Sequence, residues 1–199
     1  MDEQEKKHSE AEPEQVQEQE QERDGGVRQE VYFTMKSLVG VLVVLVLVFT
    51  FVGRLIVVDG ASMEPTLLDR EMLVVRSIGY APKQGDIVVL AKDGFHNGDA
   101  IVKRVIATEN QRVEIDYGAA EVRVDGVPLD EPYIKEFMIQ QYYQTITDIV
   151  VPEGSIFIMG DNRNNSDDSR DEALGTVDAR LVLGKAVFIL FPFNQIKVL

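Results

Sequence analysis

The residue whose setting most suggests chemistry is Ser62, in the stretch Val-Asp-Gly-Ala-Ser-Met-Glu-Pro-Thr-Leu at 58–67. Gly60 permits backbone angles that other residues avoid, and Pro65 fixes its own φ and favours an extended Glu64. A serine held in such a stiff turn suits a nucleophile. The same pattern suits an ordinary serine turn, so Ser62 alone does not decide the function.

A general base for Ser62 would have to be a carboxylate or a lysine, because the chain has only two histidines. If the segment Ala-Ile-Val-Lys-Arg-Val-Ile-Ala at 100–107 is a strand, Lys103 shares one face with Ile101 and Val105. Burial among apolar side chains lowers the pKa of a lysine and would make Lys103 a workable base near neutral pH. The alternative is an edge strand protected by adjacent Lys and Arg charges.

A polar segment, Met-Gly-Asp-Asn-Arg-Asn-Asn-Ser-Asp-Asp-Ser-Arg at 159–170, has more hydrogen-bonding side chains than a connecting loop requires. The Ser166 hydroxyl could orient a neutral lysine amine through a hydrogen bond. Ion pairs could also stiffen this segment, and the candidates are Asp168 with Arg170 or Asp161 with Arg163.

Calcium binding is a second interpretation of this segment, because Asp161, Asn165 and Asp167 have the spacing of oxygen ligands. Arg163 and Arg170 disfavour it, since they place positive charge where a cation would bind. We therefore expect no metal.

The composition excludes several other classes of chemistry. The 199 residues include no cysteine, which excludes a thiol nucleophile, a disulfide framework and an iron–sulfur cluster. His8 lies in the tail and His96 in a Gly-Phe-His-Asn-Gly loop, so a Ser-His-Asp triad would have to use a histidine among turn residues. The formal charge of -14, without clustered Lys and Arg, indicates that nucleic acid is not a partner.

Residues 1–34 are predicted to form a disordered, acidic, cytoplasmic tail. Positions 1–30 carry eleven acidic and four basic side chains and almost no large apolar ones. Such a segment cannot bury enough surface to fold. A solvated tail is favoured over an interaction segment.

Residues 35–58 are predicted to form one transmembrane helix that anchors the protein. A charge-free, almost wholly aliphatic run covers 37–53, and apolar character resumes after Arg54. The run and its flank reach the length of about 20 residues that a helix needs to cross a bilayer. A buried core helix would need more surrounding protein, and a cleavable signal would begin with a short basic region. The flanking basic residues only slightly favour a cytoplasmic N-terminus.

Residues 59–199 are predicted to form a mainly β domain, an antiparallel sandwich or partly open barrel. Its core would comprise 59–108 and 152–199, with a small inserted lobe at about 109–151. Short strand patterns alternate with turn signals, and no helical period is sustained. The predicted strands cover 72–77, 86–91, 100–108, 112–115, 121–124, 155–159 and 185–191. A hairpin at 122–129 would keep Pro128 at a sheet edge.

Together these residues resemble bacterial type I signal peptidases, the membrane-bound serine peptidases that remove signal peptides from exported proteins. Gly60 and the single anchor match the small Gram-positive form. Five motifs match in order along the chain: Ser-Met-Glu-Pro-Thr-Leu at 62–67, Gly-Asp-Ile-Val-Val at 85–89, Lys-Arg-Val-Ile at 103–106, Gly-Asp-Asn-Arg-Asn-Asn-Ser-Asp-Asp-Ser-Arg at 160–170 and Gly-Lys-Ala at 184–186.

The resemblance implies that Ser62 is the nucleophile of a Ser/Lys dyad, that Lys103 is its general base and that Ser166 orients the lysine amine. The oxyanion would be met by the Ser62 N–H, helped by the Gly60 position, where some members carry a serine hydroxyl. The resemblance also implies a structural ion pair of Asp168 with Arg170 and shallow substrate pockets lined by Val58, Met63 and Val102.

The activity implied by the resemblance is cleavage of exported preproteins after Ala-X-Ala, with the substrate bound as an added extended strand. It requires no cofactor. We expect a monomer that crosses the plasma membrane once, with its N-terminus in the cytoplasm and its catalytic domain on the extracytoplasmic face. The partners would be exported preproteins and the lipid bilayer.

Two other functions fit parts of the pattern. A self-cleaving Ser/Lys repressor would carry a DNA-binding domain where this chain has the apolar run at 37–53. A membrane-anchored binding protein with a decayed site would have lost Ser62, Lys103 or Ser166, and all three are present.

The chain departs from the family pattern at two places. After Ile106 the usual Gly-x-Pro-Gly-Asp turn is replaced by Ala-Thr-Glu-Asn-Gln, and Asp-Glu-Ala at 171–173 replaces common aromatic residues. Both changes lie outside the proposed dyad. They leave open the turn beside the lysine strand and the substrate preference.

Overall fold

The computed structural model describes residues 28–46, 53–95 and 98–199, which belong to two compact units, Met1–Val48 and Phe49–Leu199. Both histidines, most of the predicted tail and residues 47–52 lie outside the described residues.

Helix α1, Arg28–Val46, is the described part of the N-terminal unit. Its 19 residues have a mean hydropathy of 1.5, and all of them are exposed. At about 1.5 Å per residue the helix is roughly 28 Å long, close to the hydrocarbon thickness of about 30 Å in a typical bilayer. Within the described ranges, it is the one helix long and apolar enough to cross a membrane.

The predicted limits of the tail and of the anchor helix are wrong. Positions 28–34, assigned to the tail, are helical, because the Arg, Gln and Glu before the apolar run are good helix formers that extend it. Gly53–Val57, assigned to the anchor, is a strand paired with Met72–Arg76. A short apolar run such as Leu-Ile-Val has no period that distinguishes strand from helix, so its pairing partner decides.

The folded unit is built from short strands, and the two 3₁₀ turns described in it are Ala179–Leu181 and Phe193–Gln195. The twelve strands found in the described residues are β1 (Gly53–Val57), β2 (Met72–Arg76), β3 (Ile87–Leu90), β4 (Ile101–Thr108), β5 (Arg112–Asp116), β6 (Glu121–Val124), β7 (Val127–Pro128), β8 (Asp148–Val150), β9 (Ser155–Met159), β10 (Val177–Asp178), β11 (Val182–Phe191) and β12 (Lys197–Val198).

The strands form two antiparallel sheets. The larger has the order β1-β2-β11-β3-β4-β9-β10, with β12 paired to β11, and the smaller has the order β7-β6-β5-β8. The smaller sheet lies within the segment 109–151. The mainly β, antiparallel fold is therefore confirmed, as is the hairpin of β6 and β7 with Pro128 in the outermost strand.

Strand β4 lies inside the larger sheet, between β3 and β9, and Lys103 and Arg104 are only 4% and 8% exposed. The alternative in which their charges protect an exposed edge is therefore wrong. The pairing with β9 begins at Arg104, opposite Met159, where β9 ends. Residues 101–103 pair with β3 on one side, while β9 does not extend along their other side. This leaves an open stretch of β4 that ends at Lys103.

Side chains from both sheets share one of the hydrophobic clusters that hold this arrangement. Ile106 and Phe157 from the larger sheet pack with Val113 and Val122 from the smaller one, and each is at most 1% exposed. Burial of such side chains contributes about 1.5–3 kcal/mol each and fixes β4 against the smaller sheet.

Candidate active site

Ser62 lies in a compact turn between β1 and β2. The turn is closed at its base by Val58, whose N–H donates to the Glu71 carbonyl at 2.8 Å and whose carbonyl accepts from the Arg70 N–H at 2.9 Å. Gly60 has a φ of 86°, a left-handed conformation that favours glycine. The Glu64–Pro65 peptide bond is cis. The sequence pattern thus predicted the stiff turn but not its cis bond.

Lys103 reaches this turn from β4. Its Nζ donates a hydrogen bond to Ser62 Oγ at 2.7 Å, and the residue is only 4% exposed. Burial lowers the pKa of Lys103 from its ordinary value, although the charges of Asp168 and Asp167 partly oppose this effect. A neutral amine next to a serine hydroxyl can accept the hydroxyl proton, so the pair has the geometry of a nucleophile and its base.

Ser166 lines the same cleft and is 3% exposed. Its Oγ lies close enough to the Asp168 carboxylate to help lower the pKa of that group, but the contact lacks hydrogen-bond geometry. By the distance and angle that define a hydrogen bond, Ser166 Oγ has no partner among the described residues. The predicted hydrogen bond between Ser166 and Lys103 is likewise absent from the described contacts, although the structure brings both residues to one cleft.

Gly160 is where the 159–170 segment crosses the Ser62 turn. A Cβ at this position would overlap Ser166 Oγ and the Ser62 carbonyl oxygen, so only glycine fits without movement. Two hydrogen bonds join the segments at this crossing: the Asn162 N–H donates to the Ser62 carbonyl and Asn162 Nδ2 donates to the Ala61 carbonyl, each at 3.0 Å. The nucleophile turn is therefore docked on the segment that carries Ser166.

Asp161 connects three parts of the site. Arg104, the residue after Lys103, donates to both of its carboxylate oxygens, at 2.8 Å from Nε and 2.6 Å from Nη2. Thr66, from the Ser62 turn, donates its hydroxyl to the same carboxylate. The carboxylate is fully buried, so these charge-assisted bonds join the lysine strand to the serine turn inside the protein.

The ion-pair partners differ in part from those expected. Asp168 and Arg170 pair as predicted, through two 2.8 Å bonds from Arg170 Nε and Nη2. The alternative pair of Asp161 with Arg163 is wrong: Arg163 binds the Glu131 carboxylate through both terminal nitrogens, at 2.9 and 2.5 Å. Glu131 comes from the lobe segment far from this loop in sequence, so the spacing within the loop could not reveal it.

Asp168 is a fully buried carboxylate that stays ionised. Burial alone would raise the pKa of Asp168, but the charge and hydrogen bonds of Arg170, together with the Gly160 N–H at 3.0 Å, outweigh burial and hold the pKa below its ordinary value. The Arg170 guanidinium also donates to the Arg163 carbonyl at 2.7 Å. This pair stiffens the loop that carries Ser166.

The cleft around Ser62 and Lys103 has a volume of about 240 Å³. The three residues predicted to form substrate pockets all line it: Val58, Met63 and Val102, each at most 7% exposed. One wall is the chain before Ser62 and the other is the open stretch of β4. Both walls are extended or turn backbone, which leaves room for a peptide between them.

Gly60 also lines the cleft, but its N–H donates to Asp69 Oδ1 at 2.9 Å and is already engaged. The Ser62 N–H makes no hydrogen bond to the described residues. A Cβ at Gly60 would meet open space, although the φ of 86° would strain any other residue. Of the two positions predicted at an oxyanion site, Ser62 thus has the available N–H.

The altered turn after Ile106 is completed by local side chains. Asn110 adopts a left-handed φ of 65°, and Gln111 Oε1 accepts from the Thr108 N–H at 2.9 Å. Asn tolerates this conformation better than most residues, so it replaces the expected glycine. The turn therefore returns the chain to β5 without disturbing the lysine end of β4.

Sequence reasoning missed Thr66, Glu131, Asn162 and the role of Arg104. The alternation of side chains along a strand directs Arg104 to the face opposite Lys103, but no local sequence pattern indicates Asp161 as its partner. Within the described residues, no group of three or more His, Asp or Glu side chains could hold a metal ion.

Comparison with known proteins supports the sequence motifs. The family model for signal peptidase, peptidase S26, matches residues 30–191. Signal peptidase I of Bacillus amyloliquefaciens is 37% identical over 172 residues, covering 81% of this chain and 89% of that protein. Signal peptidase I S of Bacillus subtilis is 36% identical over 172 residues, covering 81% and 90%. Signal peptidase IB of Staphylococcus aureus strain COL is 31% identical over 190 residues, covering 86% and 95%.

These matches span the apolar helix and the folded unit, and with the helix they indicate a membrane-anchored protein. They also indicate an enzyme whose substrates are preproteins that carry signal peptides. The chain belongs to the signal peptidase I family of serine peptidases, peptidase S26, which removes signal peptides.

Proposed function

We propose that this protein is a Ser/Lys endopeptidase that cuts exported preproteins after Ala-X-Ala, with Ser62 as nucleophile and Lys103 as general base. The observation that carries the proposal is the 2.7 Å contact between Lys103 Nζ and Ser62 Oγ, made by a buried amine. Such a lysine can be neutral near pH 7 and so can accept the serine proton.

The reaction proceeds by acyl transfer. Lys103 Nζ takes the Ser62 hydroxyl proton while Oγ bonds to the scissile carbonyl carbon. The C–N bond then breaks, and the Lys103 ammonium returns the proton to the leaving amine. In the second half, Lys103 takes a proton from water, the hydroxide attacks the ester carbon, and Ser62 Oγ leaves and regains the proton.

The oxyanion formed at the scissile carbonyl is stabilised by the Ser62 N–H, which has no other acceptor among the described residues. Gly60 contributes through its conformation, since its own N–H is bound to Asp69. Ser166 orients the lysine amine by accepting a hydrogen bond from one Nζ hydrogen at its unpaired Oγ, which leaves the Nζ lone pair for the Ser62 hydroxyl. The Asp168–Arg170 pair holds the segment that carries Ser166.

The substrate binds as an extended strand between the chain before Ser62 and the open stretch of β4. Val58, Met63 and Val102 are buried apolar side chains that leave only shallow recesses in the cleft. Small residues such as Ala fit such recesses, whereas larger ones do not, which accounts for the Ala-X-Ala preference.

The protein crosses the plasma membrane once, through α1, and works as a monomer on the extracytoplasmic side. The folded unit follows α1 in the chain, so a cytoplasmic N-terminus places this unit on the side where exported preproteins emerge. Accessibility of single cysteines introduced at Ser9 and Asn194 to an impermeant reagent in intact cells measures this orientation. Labelling at Asn194 alone is expected, and labelling at Ser9 alone would reverse the assignment.

The function is tested with detergent-solubilised full-length protein and a preprotein that contains an Ala-X-Ala site. Mass spectrometry of the products should show one cut after the final Ala, absent for Ser62→Ala and for a substrate with Phe at that position. A folded wild type that cuts no preprotein, or a Ser62→Ala variant that still cuts, would contradict the proposal.

A further inference from the structure

Three carboxylates line the rim of the catalytic cleft. Asp59 lies on the wall before Ser62, Asp99 on the wall before β4, and Asp167 beside Ser166. All three are exposed. Lys103 is the one basic residue among the described residues that line this cleft, and its amine faces Ser62. Any peptide in the cleft therefore lies among negative charges.

Asp59 and Asp99 differ from the two buried acidic groups of the site. Asp161 and Asp168 are buried, and each is neutralised by a bidentate arginine, Arg104 and Arg170 respectively. Asp59 and Asp99 make no hydrogen bond or ion pair within the described part of the chain, and both side chains face solvent. Their charges thus remain available to a ligand.

The same cleft has independent marks of a ligand site. The Ser166 side chain lines it, is 97% buried and has an unpaired Oγ, while Ser62 Oγ and Lys103 Nζ meet there at 2.7 Å. Burying an unpaired hydroxyl is costly unless a partner arrives. The acidic rim therefore surrounds a site already built for a substrate.

We propose that Asp59 and Asp99 select the charge of the residues next to the cut, favouring preproteins with Lys or Arg there over those with Asp or Glu. This inference rests on the proposed function, because it assumes that preproteins bind in this cleft. It adds a substrate class that the recesses for small side chains do not define, namely signal peptides whose cleavage region is neutral or basic.

The physical basis is Coulomb attraction at a partly exposed surface. A lysine ammonium a few ångströms from one of these carboxylates gains roughly a factor of three in affinity at low salt, and a glutamate loses a similar factor. The preference should fade as the ionic strength rises from about 0.01 M, where the Debye length is about 30 Å, to about 1 M, where it is about 3 Å.

The test uses full-length enzyme in detergent and one preprotein with Gln, Lys or Glu at three positions: the X of Ala-X-Ala and the first two residues after the cut. We expect kcat/KM to follow the order Lys, Gln, Glu at one or more of these positions, with about a tenfold span at low salt that shrinks at 1 M. Asp59→Asn and Asp99→Asn, which replace exposed and unpaired carboxylates, should each reduce the Lys to Glu ratio. The matched control is Asp130→Asn, because Asp130 is exposed but does not line the cleft.

Equal kcat/KM for Lys and Glu at all three positions would overturn the inference while leaving the proposed function intact. The same holds if the ratio is unchanged in both cleft variants, or if it falls equally in Asp130→Asn. If the Gln preprotein itself is not cut, the proposed function fails and the inference fails with it.

Discussion

Lys103 and Arg104 are neighbours on β4 and both are buried, but only Arg104 is paired with a carboxylate. Arg104 is 8% exposed and donates to both carboxylate oxygens of Asp161, at 2.8 Å from Nε and 2.6 Å from Nη2. Lys103, 4% exposed, contacts a serine hydroxyl and has no carboxylate in hydrogen-bonding contact among the described residues. A buried cation that is paired keeps its proton, whereas one without a partner tends to lose it.

The other buried arginines of the site follow the pattern of Arg104. Arg163 is bound by Glu131 and Arg170 by Asp168, in each case through two nitrogens. Their side chains are at most 1% exposed. The fold therefore fixes its loops with paired arginines, while Lys103, the one buried lysine among the described residues, has no carboxylate partner. That lysine is the group that can exchange protons.

The largest loss of activity is expected from Lys103→Arg, which replaces the unpaired lysine with an arginine. Arginine keeps the positive charge but cannot act as a base near neutral pH, so we expect kcat to fall by about 10³-fold or more. The measurement is preprotein cleavage, with circular dichroism to confirm folding. Lys197→Arg is the control, because Lys197 is exposed in β12 and should retain full activity. Cleavage at the wild-type rate by Lys103→Arg would show that the amine is not the base.

Breaking a paired charge should affect stability first. Asp168→Asn leaves the Arg170 guanidinium buried without its carboxylate, which should cost about 3–5 kcal/mol of unfolding free energy at pH 7. Because the folded pKa of Asp168 is depressed, its contribution is present above the ordinary pKa of about 3.9 and is lost as the pH falls through the folded value. Urea denaturation at pH 7 measures the effect.

Asp178→Asn is a matched control, because Asp178 and Arg180 have the same two-residue spacing but their side chains are 36% and 89% exposed. This variant should change the urea midpoint little. Equal shifts for the two variants would mean that burial of the pair has no energetic consequence.

One added methyl group at Gly160 should disturb the contact between the 159–170 segment and the Ser62 turn. In Gly160→Ala, the added Cβ must push away Ser166 and the Ser62 carbonyl, and a displacement of about 1 Å at a reacting group can cost about 10²-fold in rate. Gly118→Ala is the control, since its Cβ would meet only the flexible Asp116 carboxylate, at 3.2 Å. Cleavage kinetics of the two variants should differ by this factor, and unchanged kinetics in Gly160→Ala would show that the crossing does not position Ser62.

The smallest expected effect comes from removing the Asp167 charge, which acts on the pKa of Lys103. Asp167 raises the pKa of Lys103 against the effect of burial, so Asp167→Asn should lower that pKa further. The acidic limb of kcat/KM against pH should then move to lower pH, and Asp130→Asn should leave it in place. A shift to higher pH would contradict the sign of this interaction.

Much of the site was predictable because its parts are short and local. The turn residues around Ser62 indicated a possible nucleophile, and the alternation of side chains along 100–107 predicted Lys103 on an apolar face. Most strands were also marked by turn residues on either side. These features depend on sequence neighbours, which a single sequence displays.

The features that could not be predicted depend on contacts between distant segments. Nothing near Arg163 indicates Glu131, and nothing near Arg104 indicates Asp161, because only the fold brings them together. For the same reason β1 was taken for the end of the anchor helix: the strand is defined by its pairing with β2. The short strands β8, β10 and β12 likewise owe their existence to partners.

The pH dependence of kcat/KM for the wild-type enzyme on a preprotein with neutral residues around the cut tests most directly whether an unpaired, buried Lys103 is the base. Because burial lowers the pKa of Lys103, activity should rise with pH and reach its plateau well below the ordinary lysine value of about 10.4. A midpoint at that ordinary value, or a rate independent of pH, would contradict the assignment of Lys103 as the base.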